Sequence, residues 1–500
     1  MKGKQEGATQ AACAPSSTDS EGRTWQQQPW KQYEEEVRRL QVRIAKAQKE
    51  GKYGKVKRLQ YILVHSKAAR FLAVKRVSQN KGSRTAGVDK VTWRKDAVKL
   101  KATESLTKRG YRPLPLKRVL IPKKNGKMRP LGIPTMKDRA MQALYLMAYE
   151  PVTETTADGN SYGFRRYRGC HDAIDAIFKI YNASHRAKYV LEGDIKGCFD
   201  HISHEWMLDH IQMDKEVLGK WLKSGYLFKG VFTRTREGTP QGGIISPTLA
   251  NATLDGMEGL LGKYRNVKKD GKSVSQKVHF VRYADDFIVS ADNREVLIQI
   301  KEDIKTFLKE RGLELSDEKT LITHINDGFD FLGFNIRKFN GTLLIRPSKK
   351  AQKRFADNTH EVIFGNKTAR EQQIIDELNP KLTGWGNYFK VGASKEVFAR
   401  MDHLLLWQLR RWCNRRHHNK SLSWIKAKYF IRRGNRDWVF GYKINDKSFY
   451  LRSLADIPIE RHIKIKSKAN PFDSDWDEYF EQRREWKRRR RQRKGQTKAA

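Results

Sequence analysis

The sequence predicts an α+β protein in which a region of mixed strands and helices lies between two helical regions. Two Asn-Gly pairs, Asn125-Gly126 and Asn340-Gly341, each lie between apolar-rich segments, a pattern typical of antiparallel β-hairpins. Strand-like and helix-like segments alternate irregularly between these hairpins, and after Pro347 the chain becomes helical, basic and rich in Trp. At 500 residues the chain is too long for one hydrophobic core, so several domains are expected.

The region before the first hairpin is predicted to be helical after a short polar tail. From Trp30 to Ala47, apolar residues recur at alternating steps of three and four, as on one face of an amphipathic helix. A second, basic helical segment spans about 54–77, and residues 80–89 have the composition of a loop. The first residues are polar and lack the apolar stretch of a secretory signal, so they are expected to form a disordered tail.

The composition indicates a polyanionic partner. The formal net charge of +45 implies a self-repulsion that a nucleic-acid backbone would neutralise, whereas 38% hydrophobic residues and 12 Trp argue against a disordered basic protein. A membrane surface is the alternative, but no apolar run approaches the roughly 20 residues of a membrane span. The four cysteines form no Cys-x-x-Cys pair, which argues against a zinc module or disulfide framework and fits a reducing compartment.

An acidic pair in an apolar setting is the most informative feature of the central region. Asp285 and Asp286 lie between two predicted strands, 279–283 and 287–290, and Asp194 ends a third apolar run. An Asp pair alone is typical of a turn. With Asp194 beside it, the pair could complete an oxygen cage for two Mg²⁺ ions about 3.5–4 Å apart. Such ions would activate a primer 3′-hydroxyl and stabilise charge at the α-phosphorus, so the pattern predicts a nucleic-acid polymerase.

Two further elements fit a nucleotide site. Ser246-Pro247 is typical of an N-cap followed by a first-turn proline, which predicts a helix from here through about Leu261. Gly242-Gly243 just before it would either let the backbone approach a base or sugar closely or simply form a tight helix entry. The cations between Lys117 and Arg129 would hold a triphosphate beside a nucleotide, and otherwise form a solvated basic face.

Six motifs in chain order resemble those of the reverse transcriptases encoded by group II introns. They are Arg129-Pro-Leu-Gly-Ile-Pro134, Ser161-Tyr-Gly-Phe-Arg165, Asp194-Ile-Lys-Gly-Cys-Phe-Asp200, Thr239-Pro-Gln-Gly-Gly243, Tyr283-Ala-Asp-Asp286 and Phe331-Leu-Gly-Phe334. Residues 378–389 resemble that family's maturase (thumb, or X) domain, and residues 30–90 resemble its N-terminal extension. The resemblance covers roughly residues 25–480 and implies a right-hand polymerase fold, with fingers and palm followed by an α-helical thumb/maturase domain.

The resemblance also implies a domain organisation. The expected parts are a disordered tail (1–24), a helical N-terminal extension (25–100), fingers and palm (101–346), thumb/maturase domain X (347–455), and a basic DNA-binding-like C-terminal tail (456–500). The run from Arg488 to Lys494 is expected to be disordered when free and to sample nucleic acid through charge. No endonuclease is expected, because the Cys pairs of that module are missing after residue 480.

Residue roles follow from the resemblance position by position. The catalytic acidic residues would be Asp194, Asp285 and Asp286, with Asp194, Asp285 and the carbonyl of Ile195 as ligands of two Mg²⁺ ions. Phe199 would be the steric gate that excludes a ribose 2′-hydroxyl. The remaining dNTP contacts would be Gln241, Lys123 and Arg129, joined by Lys117 or Arg118. The contacts to RNA or DNA phosphates would come from the basic helix starting near Leu404: Arg410, Arg411, Arg415 and Arg416.

The predicted function is an RNA-directed DNA polymerase that also binds its group II intron RNA to assist splicing and retromobility. Its partners would be an RNA template, a DNA primer, dNTPs, the intron RNA and a DNA target, in the bacterial cytoplasm or at the nucleoid. One alternative is a splicing-only RNA-binding maturase, against which the intact acidic residues and the 239–243 loop argue. The other is a domesticated or CRISPR-associated reverse transcriptase, and Gly384-Trp-Gly-Asn-Tyr-Phe389 favours the intron-borne branch over it.

Overall fold

The computed structural model describes residues 18–499, except for residues 123–125, 127, 184, 240, 241, 271 and 446. Four helices form the N-terminal region: α1 (Trp30–Lys49), α2 (Tyr53–His65), α3 (Lys67–Gln79) and α4 (Asp96–Glu104). The predicted helix over about 54–77 is thus two helices. Ser66 interrupts it, because its backbone is extended and its hydroxyl accepts the Ala69 N–H at 3.1 Å, which starts α3. Of the predicted tail, residues 18–24 are described, and they form turns in which Asp19 pairs with Lys67 at 3.5 Å.

The central region alternates strands and helices as predicted. In chain order its elements are β1 (Leu116–Pro122), β2 (Met128–Ile133), α5 (Met136–Thr156), α6 (Cys170–Tyr181), β3 (Tyr189–Gly193), α7 (Cys198–His201), α8 (His204–His210), α9 (Lys215–Leu222), β4 (Tyr226–Phe228), β5 (Val231–Thr233), α10 (Ser246–Leu254), α11 (Met257–Leu260), β6 (Asn266–Lys269), β7 (Lys272–Ser275), β8 (His279–Tyr283), β9 (Asp286–Ala291), α12 (Arg294–Lys309), β10 (Leu321–His324), β11 (Phe329–Phe331), β12 (Phe334–Phe339) and β13 (Thr342–Pro347).

Both predicted hairpins form. β1 and β2 pair antiparallel, and the strand order β2-β1-β4-β5 extends them into a sheet in which β4 lies parallel to β1. The turn residue Asn125 lies outside the described residues. The second hairpin is β12–β13, whose turn contains Asn340 and Gly341, both with positive φ, and β11 adds a third strand to it.

The helix predicted from Ser246 differs from the observed one in two ways. Ser246 is not the N-cap but the first helical residue of α10, and its buried hydroxyl has no hydrogen-bond partner. The helix also stops at Leu254 instead of continuing to Leu261, because Gly256 adopts a φ of +103° and separates α10 from α11.

The region after Pro347 contains helices and an additional small sheet. Its elements are α13 (Lys349–Gly365), α14 (Glu371–Phe389), α15 (Lys395–Arg416), α16 (Leu422–Tyr429), β14 (Phe430–Arg433), β15 (Arg436–Ile444), β16 (Lys447–Tyr450) and α17 (Asp477–Ala499). The sequence analysis did not predict the β14-β15-β16 sheet. The basic run from Arg488, expected to be disordered when free, is part of the helix α17. No helix among the described residues is long and apolar enough to cross a membrane.

The central sheet, with strand order β10-β3-β9-β8, lies between two hydrophobic cores. Leu191 and Val289 belong to the core formed with the N-terminal helices, α5 and α12, whereas Val190 and Ile288 belong to the core formed with α6 and the C-terminal helices. Alternate residues of each strand therefore face opposite cores. Burial on both faces holds this sheet rigidly, and the predicted acidic residues lie at one of its ends.

Candidate active site

The end of strand β3 places Asp194 beside strand β9. β3 and β9 are antiparallel, and Gly193, the last residue of β3, lies opposite Phe287. The ring of Phe287 covers this glycine, since a Cβ at position 193 would lie 2.1 Å from its Cζ. Asp194 is therefore the next residue beyond the pair, on the side of Asp286. The predicted meeting of these strand ends is thus observed.

The turn between β8 and β9 carries the other two carboxylates. Tyr283 lies opposite Asp286, which leaves Ala284 and Asp285 as a two-residue turn. Ala284 has a φ of +60°, in the left-handed region, where a non-Gly residue costs about 1 kcal/mol or more. Turns of this kind usually carry Gly or Asn at such a position. The surrounding structure must therefore hold this turn in place.

The three carboxylates leave uncompensated negative charge at this end of the sheet. Desolvation and the negative charges of Asp285 and Asp194 raise the pKa of Asp286 to about 6, against the opposing effect of Lys319. The Nζ of Lys319 lies 2.8 Å from Oδ2 of Asp194, and this hydrogen bond raises the pKa of Lys319. A carboxyl whose pKa is raised by burial and by neighbouring carboxylates is typical of functional sites.

These residues fit a hard cation. No group of three or more His, Cys, Asp or Glu side chains within the described part of the chain is arranged to enclose a metal ion, so the carboxylates share one end of the sheet without forming a closed cage. The predicted ligands stay a prediction, and two observations are compatible with it. A cationic ammonium already contacts Asp194, and the charge that raises the pKa of Asp286 is carried by oxygen donors, which Mg²⁺ prefers. Ile195 follows Asp194 directly and bridges to Leu315.

Lys319 is a site residue that the sequence analysis missed. It lies 125 positions from Asp194 in the chain. The segment that carries it is held against the end of β3, because the Ser316 N–H donates to the Asp194 carbonyl at 2.8 Å. A lone Lys carries no signal of such a contact in the sequence, since only the fold brings the two segments together.

The predicted steric gate lies beside the acidic residues in the chain and packs against a second aromatic ring. Phe199 is on α7, and its ring meets that of Phe164 edge to face at 6.4 Å. Phe164 is 55% exposed and has a φ of +58°, so it projects from its loop toward solvent. The Phe199 carbonyl accepts the Thr239 N–H at 2.7 Å, which joins α7 to the Gly-rich loop. Gln241, predicted in the same loop, lies outside the described residues.

The Gly-rich loop contacts the first hairpin. Gly242 has a φ of +116°, and a Cβ at this position would lie 2.5 Å from the Gly132 carbonyl oxygen of β2. The Ile244 N–H donates to Oε1 of Gln142 on α5 at 2.8 Å. Close backbone approach therefore explains the glycine at position 242. The sequence analysis predicted such an approach to a base or sugar, whereas the observed neighbour is protein backbone.

The structure places the predicted triphosphate contacts on and beside the first hairpin. Arg129 is an exposed residue of β2, and Lys123 lies outside the described residues. The two candidates that the sequence left unresolved differ in their surroundings. Arg118 lies over the Tyr226 ring with its Cζ 3.7 Å from the centroid, whereas Lys117 is exposed. Lys117 is thus the more accessible cation of the two.

The predicted arginines of the thumb lie on α15 in two kinds of environment. The Arg410 guanidinium lies between the rings of Trp407 and Trp438, 4.9 and 5.0 Å from their centroids. Trp407 is 49% exposed. This aromatic and cationic surface has the composition that binds single-stranded nucleic acid.

The other three arginines lie at the C-terminal end of the same helix. Arg416 donates a hydrogen bond to the Ala369 carbonyl, so part of its function is structural. Arg411 and Arg415 are exposed. The structure therefore leaves these two available for phosphate contacts and assigns Arg416 a contact within the protein.

Comparisons with known proteins are consistent with this geometry. Residues 121–336 match the family described as reverse transcriptase (RNA-dependent DNA polymerase), and residues 25–106 match the N-terminal domain of reverse transcriptase. These two matches identify the class of protein as reverse transcriptase. Residues 352–430 match the maturase-specific domain of group II introns. The chain belongs to the reverse transcriptase/maturases that group II introns encode, which confirms the predicted family and its polymerase fold. This family is generally dependent on divalent metal ions.

The chain is also similar to individual proteins. The chain is 32% identical over 382 residues to the group II intron-encoded protein LtrA of Lactococcus lactis subsp. cremoris, covering 63% of each chain. It is 35% identical over 293 residues to protein YkfC of Escherichia coli, covering 51% of this chain and 77% of YkfC. The chain thus spans about 63% of the length of LtrA. Telomerase from Candida albicans aligns with 64% of this chain at 12% identity and a TM-score of 0.36.

Proposed function

We propose that this protein is an RNA-directed DNA polymerase that adds dNTPs to the 3′-hydroxyl of a DNA primer paired with an RNA template. The single observation that supports this most is the gathering of Asp194, Asp285 and Asp286 at the end of a rigid sheet, where desolvation and the charges of the other two carboxylates raise the pKa of Asp286 to about 6. A purely structural carboxylate cluster would have a cation for each charge, because unpaired charges lower stability. Among the described residues, the ammonium of Lys319 opposes this shift, and it forms its hydrogen bond with Asp194.

The residues of the cluster and their neighbours would have different roles in the reaction. Asp194, Asp285 and the carbonyl of Ile195 would hold two Mg²⁺ ions, which when bound supply positive charge at the α-phosphate and lower the pKa of the primer hydroxyl. Asp286 keeps the local field negative. Lys319 balances Asp194 within the protein itself.

Nucleotide selection would fall to the neighbouring aromatic and basic residues. The Phe199 ring, packed edge to face on Phe164, would exclude a ribose 2′-hydroxyl by its fixed position. Gln241 would line the nucleotide pocket, and Lys123 and Arg129 would hold the triphosphate. Lys117 would join them in preference to Arg118, which lies over Tyr226.

We also infer that the protein binds its group II intron RNA and assists splicing and retromobility. The match of residues 352–430 to the maturase-specific domain favours this role, and the surface of Trp407, Arg410 and Trp438 has suitable chemistry. Arg411, Arg415 and the basic helix α17 would contact phosphates of the intron RNA or of a DNA target. For this role we propose a location in the bacterial cytoplasm, with association with the nucleoid at most.

Primer extension on an RNA template tests the polymerase. Asp285→Ala is expected to abolish incorporation, because one of the residues that would hold the Mg²⁺ ions is lost. Asp292→Ala is a matched control, since Asp292 follows the other end of β9 and pairs with Lys188 at 3.5 Å. Equal incorporation by wild type and Asp285→Ala would show that the metal-site assignment is wrong.

Splicing of the host intron at low Mg²⁺, with and without protein, tests the maturase role separately. The protein is expected to stimulate splicing of its cognate intron RNA. The Asp285→Ala variant should retain this stimulation, because RNA binding does not use the acidic cluster. Lack of stimulation by the wild-type protein would refute the splicing role and leave the polymerase untouched.

A further inference from the structure

Arg282 is completely buried three residues before Asp285. It lies on β8 and is 0% exposed. A buried guanidinium is costly unless acceptors surround it. Its Nη1 donates to Oδ1 of Asn251 at 3.1 Å and to the Ala284 carbonyl at 3.4 Å, and its Nη2 pairs with the Asp255 carboxylate. One of its three acceptors therefore belongs to the catalytic turn itself.

The other two acceptors come from the C-terminal end of α10, the helix that follows the Gly-rich loop. Asn251 lies in its last turn, and Asp255 is the residue that directly follows its last residue, Leu254. The Asn251 amide also donates to the Gly163 carbonyl at 2.8 Å. A single side chain of α10 thus joins the buried arginine to the loop of residues 160–164.

That loop closes the other side of the turn. A Cβ at Gly163 would lie 2.3 Å from the Ala284 nitrogen, so the two backbones are in direct contact. The Tyr162 N–H donates to the Arg282 carbonyl at 2.9 Å, and the Arg282 N–H donates to the Asn160 carbonyl at 3.0 Å. The strained Ala284 is therefore held between backbone on one side and the arginine on the other.

We infer that Arg282 is a positioning residue: with Asn251 it fixes the left-handed conformation of Ala284 and thereby the direction of the Asp285 and Asp286 carboxylates. Arg282 has no exposed surface, so it acts through the turn and touches no substrate. This inference rests on the proposed polymerase function. It goes beyond that function by assigning the orientation of the acidic pair to a residue outside the cleft.

Arg282→Lys tests the inference, because Lys keeps the charge beside Asp255 but cannot reach all three acceptors at once. Arg139→Lys is the matched control. Arg139 is also buried, at 6% exposure, but it donates to three backbone carbonyls of which none lies in the turn or in the loop of residues 160–164. Both substitutions remove bonds of a buried guanidinium. They differ in whether the turn is held.

We expect Arg282→Lys to lower kcat about 10- to 100-fold, the range expected for small misplacement of catalytic groups, with KM for dNTP within about twofold. Amide hydrogen exchange in residues 283–286 should become faster in this variant, while primer–template binding measured by anisotropy stays unchanged. Arg139→Lys should lower the melting temperature to a similar extent without either effect.

Asn251→Ser provides a second variant that leaves the Arg282–Asp255 pair intact. It should also speed exchange in the turn, and the double variant Arg282→Lys/Asn251→Ser should lose little more kcat than the worse single variant, because the two residues act as one unit. Unchanged exchange in the turn of both single variants would overturn the inference. The exchange measurement needs no activity, so it decides the inference even if the wild type incorporates no dNTP, a result that would refute the proposed function instead.

Discussion

Two carboxylate sites of this protein have opposite electrostatics. At the catalytic turn, desolvation and like charges raise the pKa of Asp286 to about 6. At the start of α6, Asp172 is also buried, and burial alone would raise its pKa. Hydrogen bonds from His462 and the Ile465 N–H and the charge of Arg483 lower it instead. The difference separates a carboxylate surrounded by donors and positive charge from a set in which neighbouring carboxylates oppose ionisation.

The contacts of Asp172 show what a satisfied carboxylate looks like. The Gly169 N–H donates to it at 2.9 Å, His462 Nε2 lies 2.9 Å away, the Ile465 N–H donates at 2.8 Å, and Arg483 Nη2 lies at 3.5 Å. Three of these four partners lie beyond residue 460. Asp172 therefore fastens the C-terminal segment to the central region, and its charge is used for stability.

The largest expected effect is a loss of dNTP incorporation when one carboxylate charge of the acidic cluster is removed. Asp194→Asn or Asp286→Asn should lower dNTP incorporation by about a thousandfold or more, because electrostatic stabilisation of phosphoryl transfer is a dominant contribution to catalysis. The melting temperature of Asp286→Asn should stay the same or rise, since this change removes repulsion among carboxylates, whereas that of Asp194→Asn should change little, since the exposed ion pair with Lys319 is lost as well. Primer extension and thermal unfolding measure the two effects. A large fall in melting temperature would show that these carboxylates are structural, like Asp172.

A second prediction breaks the comparison at α6. Asp172→Asn should lower the free energy of unfolding by about 2 kcal/mol, since charge-assisted hydrogen bonds to a buried acceptor are lost and its partners stay buried. The kcat of primer extension should be unchanged, because Asp172 contacts no residue of the acidic cluster. Urea unfolding and steady-state kinetics measure both quantities. Asp175→Asn, one turn along α6 and paired with Lys179 at 3.0 Å, is the control and should cost less.

The smallest expected effect is a pH dependence of the stability that Asp172 contributes. The folded pKa of Asp172 is depressed, so its contribution to stability is present above its unfolded pKa of about 3.9 and is lost as pH falls through the folded value. The difference in unfolding free energy between wild type and Asp172→Asn should be constant from pH 7 to 5 and should shrink below about pH 4. Urea unfolding across this range measures it. A difference that stays constant to pH 3 would contradict the depressed pKa.

Local patterns predicted much of the fold. Strand alternation and Asn-Gly turns predicted both hairpins, and the three-and-four spacing from Trp30 predicted α1 with its observed start. The same patterns failed where tertiary contacts compete with local preference. Ser246 does not cap α10, and the residues of β14–β16 form strands in a region predicted to be helical. β-structure of this kind depends on pairing and packing more than on intrinsic propensity.

The sequence by itself determined which residues are proposed to carry the chemistry. Asp194 at the end of an apolar run and Asp285-Asp286 at a turn are local features, so their placement at strand ends follows from the period of a β-strand and from turn chemistry. Only the tertiary structure decided which residues contact them: Lys319 bonds to Asp194, and Arg282 and Asn251 support the turn at Ala284. It also decided that His462 and Arg483 contact Asp172. These pairs are up to 311 positions apart. Charge compensation depends on distance in space, which no local pattern records.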